Sequence, residues 1–193
     1  MNSKTKKTNQ SKIILQAAFK CISTRGYANV SMREIADEAG VVLSQIHYYY
    51  KNKEGLFVEV IKLMMNDYLV EIEDHLKNGI TPKEKISGLI IYFQEVLRGK
   101  PKLFRVLYDL SSMALWSETF SKLLSNLFSD VADLIDKYAL NNITLKSNLS
   151  KYSSIAISRM IFGAMFGTAI QVILDPDEEK LPSALTSIEL IFD

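Results

Sequence analysis

Residues 31–56 of this chain read SMREIADEAGVVLSQIHYYYKNKEGL, and this stretch decides the fold. Ser31, followed three residues later by Glu34, is a capping box, in which the two side chains bind free backbone N–H groups at the start of a helix. Gly40 supplies the kind of residue that ends a helix. After a short turn, Leu43–Tyr49 can form another short helix. Two short helices around a glycine-containing turn predict a helix-turn-helix.

An amphipathic helix is expected before this stretch. Its apolar residues recur on one helical face and are Ile14, Ala17, Ala18, Cys21 and Ile22. Ser11 is the expected N-cap, and the helix should end near Gly26. Residues 1–10 are polar and basic with no apolar stretch behind them, so they predict a flexible basic tail and no secretory signal.

Further helices are expected after the helix-turn-helix. An apolar pattern at helical spacing runs from Lys53 to about Lys77 without a breaker, and Thr81 to Glu84 combine an N-cap, a proline at the first helical position and a capping-box glutamate. The helix that starts after Thr81 should end near residue 98. Further helices are predicted at 101–115, 118–140 and 181–192, with a loop at 141–147. The sequence predicts an all-α fold, with a three-helix domain at 11–56 and a larger helical domain at 57–193.

The distribution of charge and the cysteine content indicate what kind of partner and which compartment to expect. The net charge is only +1, but residues 1–56 hold nine Lys or Arg and four Asp or Glu, and the remainder holds an excess of acidic residues. A basic N-terminal part on an acidic body is typical of a chain that meets a polyanion, although a solvated tail beside an ordinary surface would give the same count. The lone Cys21 excludes an internal disulfide and fits a reducing cytoplasm.

The segment IILQAAFKCISTRGYANVSMREIADEAGVVLSQIHYYYKNKEGLFVEVI, roughly residues 13–61, resembles the DNA-binding domain of the TetR family of bacterial regulators. The matching elements are residues 17–19, 26–27, 31–36, 39–41 and 51–57. The sequence departs from the family pattern at Val42, Ser44 and His47. The resemblance implies a homodimer in which an effector binds among the middle helices and the last two long helices form a four-helix interface.

The second helix of a helix-turn-helix lies in the major groove with its N-terminal residues against base edges. Leu43, Ser44 and Gln45 occupy that end. Glutamine can bind adenine through two hydrogen bonds and an apolar side chain can meet a thymine methyl group, so this helix favours A·T pairs. By resemblance, Arg33 can reach a guanine. The alternative for Arg33 is a surface ion pair with Glu34 or Asp37.

Phosphate contacts are expected from the residues that follow. His47, Tyr48 and Tyr49 occupy positions that contact the DNA backbone in the family, and their polar groups can donate to phosphate oxygens. Successive helical side chains are about 100° apart, so the neighbouring Tyr50 is assigned to packing. By resemblance, Lys53 and Ser31 lie beside phosphates, the alternative for Lys53 being a solvated lysine.

The larger domain offers aromatic and methionine side chains that could surround an apolar effector: Phe93, Phe104, Tyr108, Met113, Trp116, Phe120 and Met165. Such residues are also the ordinary content of a helical core. Residues 155–174 are apolar nearly all round, which is typical of a helix covered on both sides, with a membrane span as the competing interpretation. Gly163 and Gly167 on this helix would let a partner helix approach, so they are assigned to the dimer interface.

No catalytic motif is present. The chain has no glycine-rich phosphate loop and no nucleophile elbow, and the two histidines, His47 and His75, cannot build a recognisable metal site. Neither a metal nor another cofactor is expected. The sequence predicts a cytoplasmic, ligand-responsive repressor of double-stranded operator DNA. Two alternatives stay open: a dimeric architectural DNA-binding protein without an effector, and a helical enzyme.

Overall fold

The computed structural model describes residues 3–141, 143, 149–178 and 180–192 of the chain. These residues form a bundle of α-helices with the following bounds: α1 (Ser3–Arg25), α2 (Met32–Ala39), α3 (Leu43–Tyr49), α4 (Lys53–Asn78), α5 (Pro82–Gly99), α6 (Pro101–Ala114), α7 (Glu118–Ile135) and α8 (Ser154–Leu174). A π-helical turn at Asp136–Leu140 extends α7, and a 3₁₀ helix spans Pro182–Ile191. The all-α prediction is confirmed.

The capping signals of the helix-turn-helix act as predicted. The Ser31 hydroxyl accepts a hydrogen bond from the Glu34 backbone N–H at 3.2 Å, and the Glu34 carboxylate accepts one from the Ser31 N–H at 2.7 Å. Gly40 has φ 65°, a left-handed conformation that glycine adopts without strain, and it ends α2. These local signals set the turn that places α3 after α2.

Helix α1 begins at Ser3, eight positions before the expected N-cap at Ser11. The expected flexible tail is therefore wrong for residues 3–10, and residues 1–2 lie outside the described residues. No proline or glycine separates the lysines and glutamine of this segment from the amphipathic part, so the helix can continue backwards. Ser11 does not cap a helix; its hydroxyl is hydrogen-bonded to the hydroxyl of Tyr50 at 2.8 Å.

The C-terminal 181–192 segment also differs from its prediction. It forms a 3₁₀ helix where an amphipathic α-helix was expected. Pro182 starts this element, but prolines also start α5 and α6, so this proline does not explain the 3₁₀ form. Its carbonyl accepts a hydrogen bond from Gln94 of α5 at 2.8 Å, which ties the segment to the bundle. Part of the expected loop at 141–147 lies outside the described residues.

The N-terminal part with the helix-turn-helix and the larger helical part share one continuous apolar core. Helix α1 packs against α4 and α6 as well as against α2. The Tyr27 backbone N–H, in the turn after α1, donates to Asp109 Oδ2 of α6 at 2.7 Å. The Tyr27 ring meets Phe57 of α4 and Phe120 of α7, with centroids 4.8 and 5.9 Å away. The helix-turn-helix is therefore fixed to three helices of the larger part.

Helix α8 is long and apolar enough to cross a bilayer by length and composition alone. In the fold it packs against α7, α6, α5 and the 3₁₀ helix. One face is buried, with Ile161, Met165 and Ala169 at most 2% exposed. The opposite face is open, and Met160 on it is 54% exposed. The helix is thus half covered within one chain.

Candidate functional site

The first turns of α3 present a polar surface to solvent. Ser44 and His47 are exposed, and Tyr48 is 70% exposed. The opposite side of the helix is anchored by Ile46, which is fully buried, and by the buried ring of Tyr50, as expected. Three of the predicted DNA-contacting residues, Ser44, His47 and Tyr48, are therefore exposed on α3.

Three predicted DNA contacts on α3 are half-buried: Leu43, Gln45 and Tyr49. The Gln45 Oε1 atom accepts a hydrogen bond from the Val42 backbone N–H at 3.3 Å, which caps the start of α3. Val42 has no polar side chain that could accept from the N–H groups of the first turn, so the bond from Gln45 provides only the second half of a capping box. Tyr49 packs edge-on against Tyr48, with ring centroids 5.3 Å apart.

Arg33 is exposed on α2 and forms no ion pair within the described part of the chain. The structure therefore does not contain the alternative ion pair between Arg33 and Glu34 or Asp37. Glu34 pairs with Arg25 of α1 instead. Hydrogen bonds from the Ser31 backbone and hydroxyl, together with the Arg25 guanidinium, lower the pKa of Glu34 to about 2. Arg33 is left available at the start of α2.

Ser31 and Lys53 have intramolecular partners. The Ser31 hydroxyl donates to Glu34 Oε2 at 2.8 Å, so it is occupied within the capping box. Lys53 opens α4 and its Nζ lies 4.2 Å above the centre of the Tyr27 ring. Burial lowers the pKa of Lys53. Lys53 is therefore a cation held by an aromatic ring, and the solvated-lysine alternative does not describe it.

A small apolar cavity of about 60 Å³ lies among α4 to α8. Its walls are aliphatic, methionine and aromatic side chains. Phe93 and Phe104 are the two predicted pocket residues that line it, and their rings meet edge-on at 5.4 Å. Sequence reasoning missed the contribution of α4, whose Met65, Tyr68 and Ile72 face the same cavity. Their helical spacing could have indicated this side of α4.

The structure does not bring the other five predicted pocket residues to this cavity. Trp116 is 89% exposed, because it lies in the turn between α6 and α7. Phe120 packs between Tyr27 and Phe57 at the end of the bundle nearest the helix-turn-helix. Tyr108 stacks on Phe166 and donates a hydrogen bond to its carbonyl oxygen. Met113 and Met165 pack in the core outside the cavity lining.

Gly163 and Gly167, the predicted interface residues, lie on α8 where a β-carbon would meet open space. No heavy atom within 4 Å would contact such a carbon at either position. Gly163 is exposed and Gly167 is half-buried. The glycines therefore do not serve packing within one chain.

Comparison with known proteins gives consistent similarities. The family model "Bacterial regulatory proteins, tetR family" matches residues 14–60. The chain is 32% identical over 90 residues to the fatty acid metabolism regulator protein of Bacillus subtilis, an alignment that covers 47% of this chain and 46% of that protein. It is 26% identical over 166 residues to the transcriptional regulator PksA of the same organism, covering 86% of this chain and 79% of PksA.

The structure resembles the transcriptional regulator FadR of Bacillus subtilis, solved in complex with stearoyl-CoA, with a TM-score of 0.73. The sequence identity is 22%, and the similarity covers 93% of this chain and 95% of that one. This similarity extends over both the helix-turn-helix and the larger helical part. This likeness shows the fold of the whole chain, and the helix-turn-helix matches the TetR family of bacterial regulatory proteins over residues 14–60.

Proposed function

We propose that this chain is a homodimeric transcriptional repressor that binds a near-palindromic operator through α2 and α3 and leaves it when a small apolar or amphipathic effector binds among α4 to α8. The observation that carries the proposal is the exposure of Arg33 on α2 and of Ser44, His47 and Tyr48 on α3, in a capped helix-turn-helix. The assignment is to a DNA-binding protein of the cytoplasm and not to an enzyme.

The polar surface of α3 supports base reading. Its N-terminal residues can reach base edges when the helix enters the major groove. Gln45 can bind adenine, and Leu43 can meet a thymine methyl group. Arg33, which has no ion-pair partner in the described residues, can reach a guanine. His47, Tyr48 and the other predicted polar residues then serve the phosphates.

Dimerisation is supported by the open face of α8. Exposed Met160 and the two glycines form a surface that one chain leaves uncovered. A two-fold interface buries the same surface from both subunits and places two copies of α3 on successive major grooves. The operator should then contain two inverted half-sites about one helical turn apart.

Helix α4 supports a mechanical link between effector and DNA. An effector of ordinary size needs roughly 300–1,000 Å³, so it must displace the helices around the cavity of about 60 Å³. Met65, Tyr68 and Ile72 of α4 line that cavity, whereas Phe57 of the same helix packs on Tyr27. Displacement of α4 therefore moves the helix-turn-helix, and the Asp109 hydrogen bond to Tyr27 adds a link through α6.

Selection of bound sequences from random double-stranded DNA tests the DNA-binding part. We expect enrichment of a near-palindrome, and its position in the source genome would identify the regulated genes. Titration of the complex with a panel of apolar and amphipathic metabolites should then identify compounds that release the DNA. The panel includes acyl-CoA thioesters because FadR was solved with stearoyl-CoA. Failure to enrich any sequence would contradict the proposal.

The small volume of the cavity favours one second candidate, a dimeric architectural protein without an effector. Such a protein would bind DNA but would not be stabilised by any compound of the panel. Thermal unfolding with each compound distinguishes the two. A compound that raises the melting temperature and also weakens operator binding supports the repressor.

A further inference from the structure

An open groove of about 380 Å³ lies on the surface between α6, α7 and α8, next to the cavity. Three phenylalanines line both spaces: Phe128, Phe162 and Phe166. Their rings meet one another with centroids 5.3 to 6.0 Å apart, and all three side chains are half-buried. The aromatic wall formed by these three side chains therefore borders both the groove and the cavity.

The two spaces differ in chemistry. The cavity is lined by aliphatic, methionine and aromatic side chains. The groove is lined by apolar side chains together with the hydroxyl groups of Ser111, Ser121, Ser125 and Ser129. Arg159 is the one charged residue among the described residues of the groove lining. One end of a molecule in this place would meet polar donors, and the other end would meet apolar side chains.

The guanidinium of Arg159 has no carboxylate partner within the described residues. Its Nη2 atom donates a long hydrogen bond of 3.4 Å to the Ser129 hydroxyl, and its side chain is exposed at the groove. Because the guanidinium stays positive and presents a planar set of donors, it fits a carboxylate or phosphate group.

We propose that the effector is an anionic amphiphile, a linear acyl chain with a carboxylate or phosphate-bearing head, whose head binds Arg159 in the groove while its tail passes between the three phenylalanines into the cavity. This inference rests on the proposed function. Entry of the tail turns the aromatic wall aside and enlarges the cavity against α4. The head stays in the groove, beside Gly163 of the proposed dimer interface.

Length and charge of the ligand test this arrangement. Calorimetric titration of the full chain with decanoate, dodecanoate and tetradecanoate should show affinity rising up to about fourfold per buried methylene group. Dodecanol, which has the same tail without the charge, should bind at least about tenfold more weakly than dodecanoate. Fluorescence of the single tryptophan, Trp116, provides a second readout because its neighbour Leu115 lines the groove. Equal binding of dodecanol and dodecanoate would overturn the charged-head assignment.

Two substitutions test the two ends of the site. Arg159→Gln should weaken dodecanoate about tenfold and leave dodecanol unchanged, whereas Arg105→Gln, at an exposed position on α6 outside the groove, should change neither. Leu107→Phe fills the cavity, so it should weaken tetradecanoate more than decanoate. If that variant does not fold by circular dichroism, Val131→Leu makes a smaller filling of the same cavity. Equal losses for Arg159→Gln and Arg105→Gln would remove Arg159 from the site.

Dodecanoyl-CoA distinguishes the two sources of the head group. Binding of either the free acid or the thioester, with dependence on Arg159, supports the inference and names the source. Binding of neither overturns it. The proposed function is tested separately by operator binding without ligand: a chain that binds its operator but none of these amphiphiles refutes only this inference, whereas a chain that binds no operator refutes the proposed function.

Discussion

At the scale of single residues, Gln45 has one hydrogen bond in the free protein that competes with its proposed role on DNA. Its side-chain oxygen caps α3 through the Val42 N–H, and that bond must open for two hydrogen bonds to adenine. We predict that Gln45→Ala reduces the preference for adenine at one position of each half-site by about 1–3 kcal/mol. The measurement is the ratio of affinities for operators that differ at that base pair, because loss of the cap weakens both operators equally. An unchanged ratio with weaker binding overall would make Gln45 a capping residue only.

The salt dependence of DNA affinity tests whether Lys53 contacts a phosphate. Its ammonium lies over the Tyr27 ring, close to the start of α4, and burial lowers the pKa of the group. A lysine that neutralises one phosphate contributes about 0.9 to the slope of log affinity against log salt. We predict that Lys53→Ala reduces the slope by about that amount per half-site. The slope measured for Lys53→Ala is compared with that of Lys51→Ala, which removes a lysine at an exposed position in the preceding turn.

The opposite result for Lys53 is equally definite. If its only role is to hold Tyr27, Lys53→Ala will lower the melting temperature and leave the salt slope unchanged. A cation over an aromatic ring contributes on the order of 0.5–1 kcal/mol at partly exposed sites. Measurement of both quantities on one protein therefore assigns the lysine.

Single-residue roles were the least predictable part of the sequence. Aromatic residues at helical spacing predicted a pocket, but only Phe93 and Phe104 of that set reach the cavity. Phe120 lies against Tyr27, at the end of the bundle nearest the helix-turn-helix, and Trp116 lies in an exposed turn. Helical periodicity gives the side of a helix on which a residue lies. It does not give the neighbour that covers that side, which depends on the packing of distant helices.

At the scale of elements, α2 depends on its capping box, and this predicts a pH effect. The pKa of Glu34 falls from an ordinary value near 4.5 to about 2 in the folded chain. A carboxylate with a depressed pKa stabilises the fold above its unfolded pKa, and this stabilisation is lost as the pH falls from about 4.5 towards 2. We predict that Glu34→Gln lowers stability at pH 7 and loses less stability on acidification than the parent protein. Urea unfolding of both proteins at pH 7 and at a pH well below 4.5 gives the comparison.

Ser31→Ala tests the other half of the same cap. It removes the acceptor of the Glu34 N–H and should cost about 0.5–2 kcal/mol of unfolding free energy. It should also raise the pKa of Glu34, because the Ser31 hydroxyl donates to that carboxylate. Thr81→Ala, in the similar capping box of α5, is the matched control, since it should destabilise the chain without altering the titration of Glu34. Equal titration of Glu34 in all three proteins would contradict this account.

Elements with complete local signals were predicted correctly, and those with competing signals were not. The boundaries at Ser31, Gly40 and Thr81 follow from capping side chains within four residues. Ser11 had the right chemistry for an N-cap, but its hydroxyl binds Tyr50, which lies 39 residues away. The last element is a 3₁₀ helix for which the local sequence gave no signal, and a hydrogen bond from the distant Gln94 to the Pro182 carbonyl holds it against α5.

At the scale of the whole molecule, the folded chain leaves the open face of α8 without a partner. Buried Ile161 and Met165 fix one side of the helix to the bundle, whereas Met160 and Gly163 face outwards. Apolar surface in water costs roughly 25 cal/mol per Å², so an interface on this side would stabilise the molecule. The sequence indicated the excess of apolar residues, but only the fold identifies which side of the helix remains open.

We predict that Gly167→Arg converts the dimer to monomers with little specific DNA binding. A β-carbon at this position would have no neighbouring heavy atom within 4 Å, so the variant should fold, as circular dichroism can verify. In the proposed dimer it places a charge on each side of the two-fold axis, where desolvation and like-charge repulsion oppose association. Gly99→Arg, which also projects into open space but lies at the end of α5, adds the same charge and should stay dimeric. Sedimentation and operator titration of both variants decide the matter: a folded, dimeric Gly167→Arg protein with normal operator affinity would remove Gly167 from the interface, and a monomeric parent protein would refute the dimer.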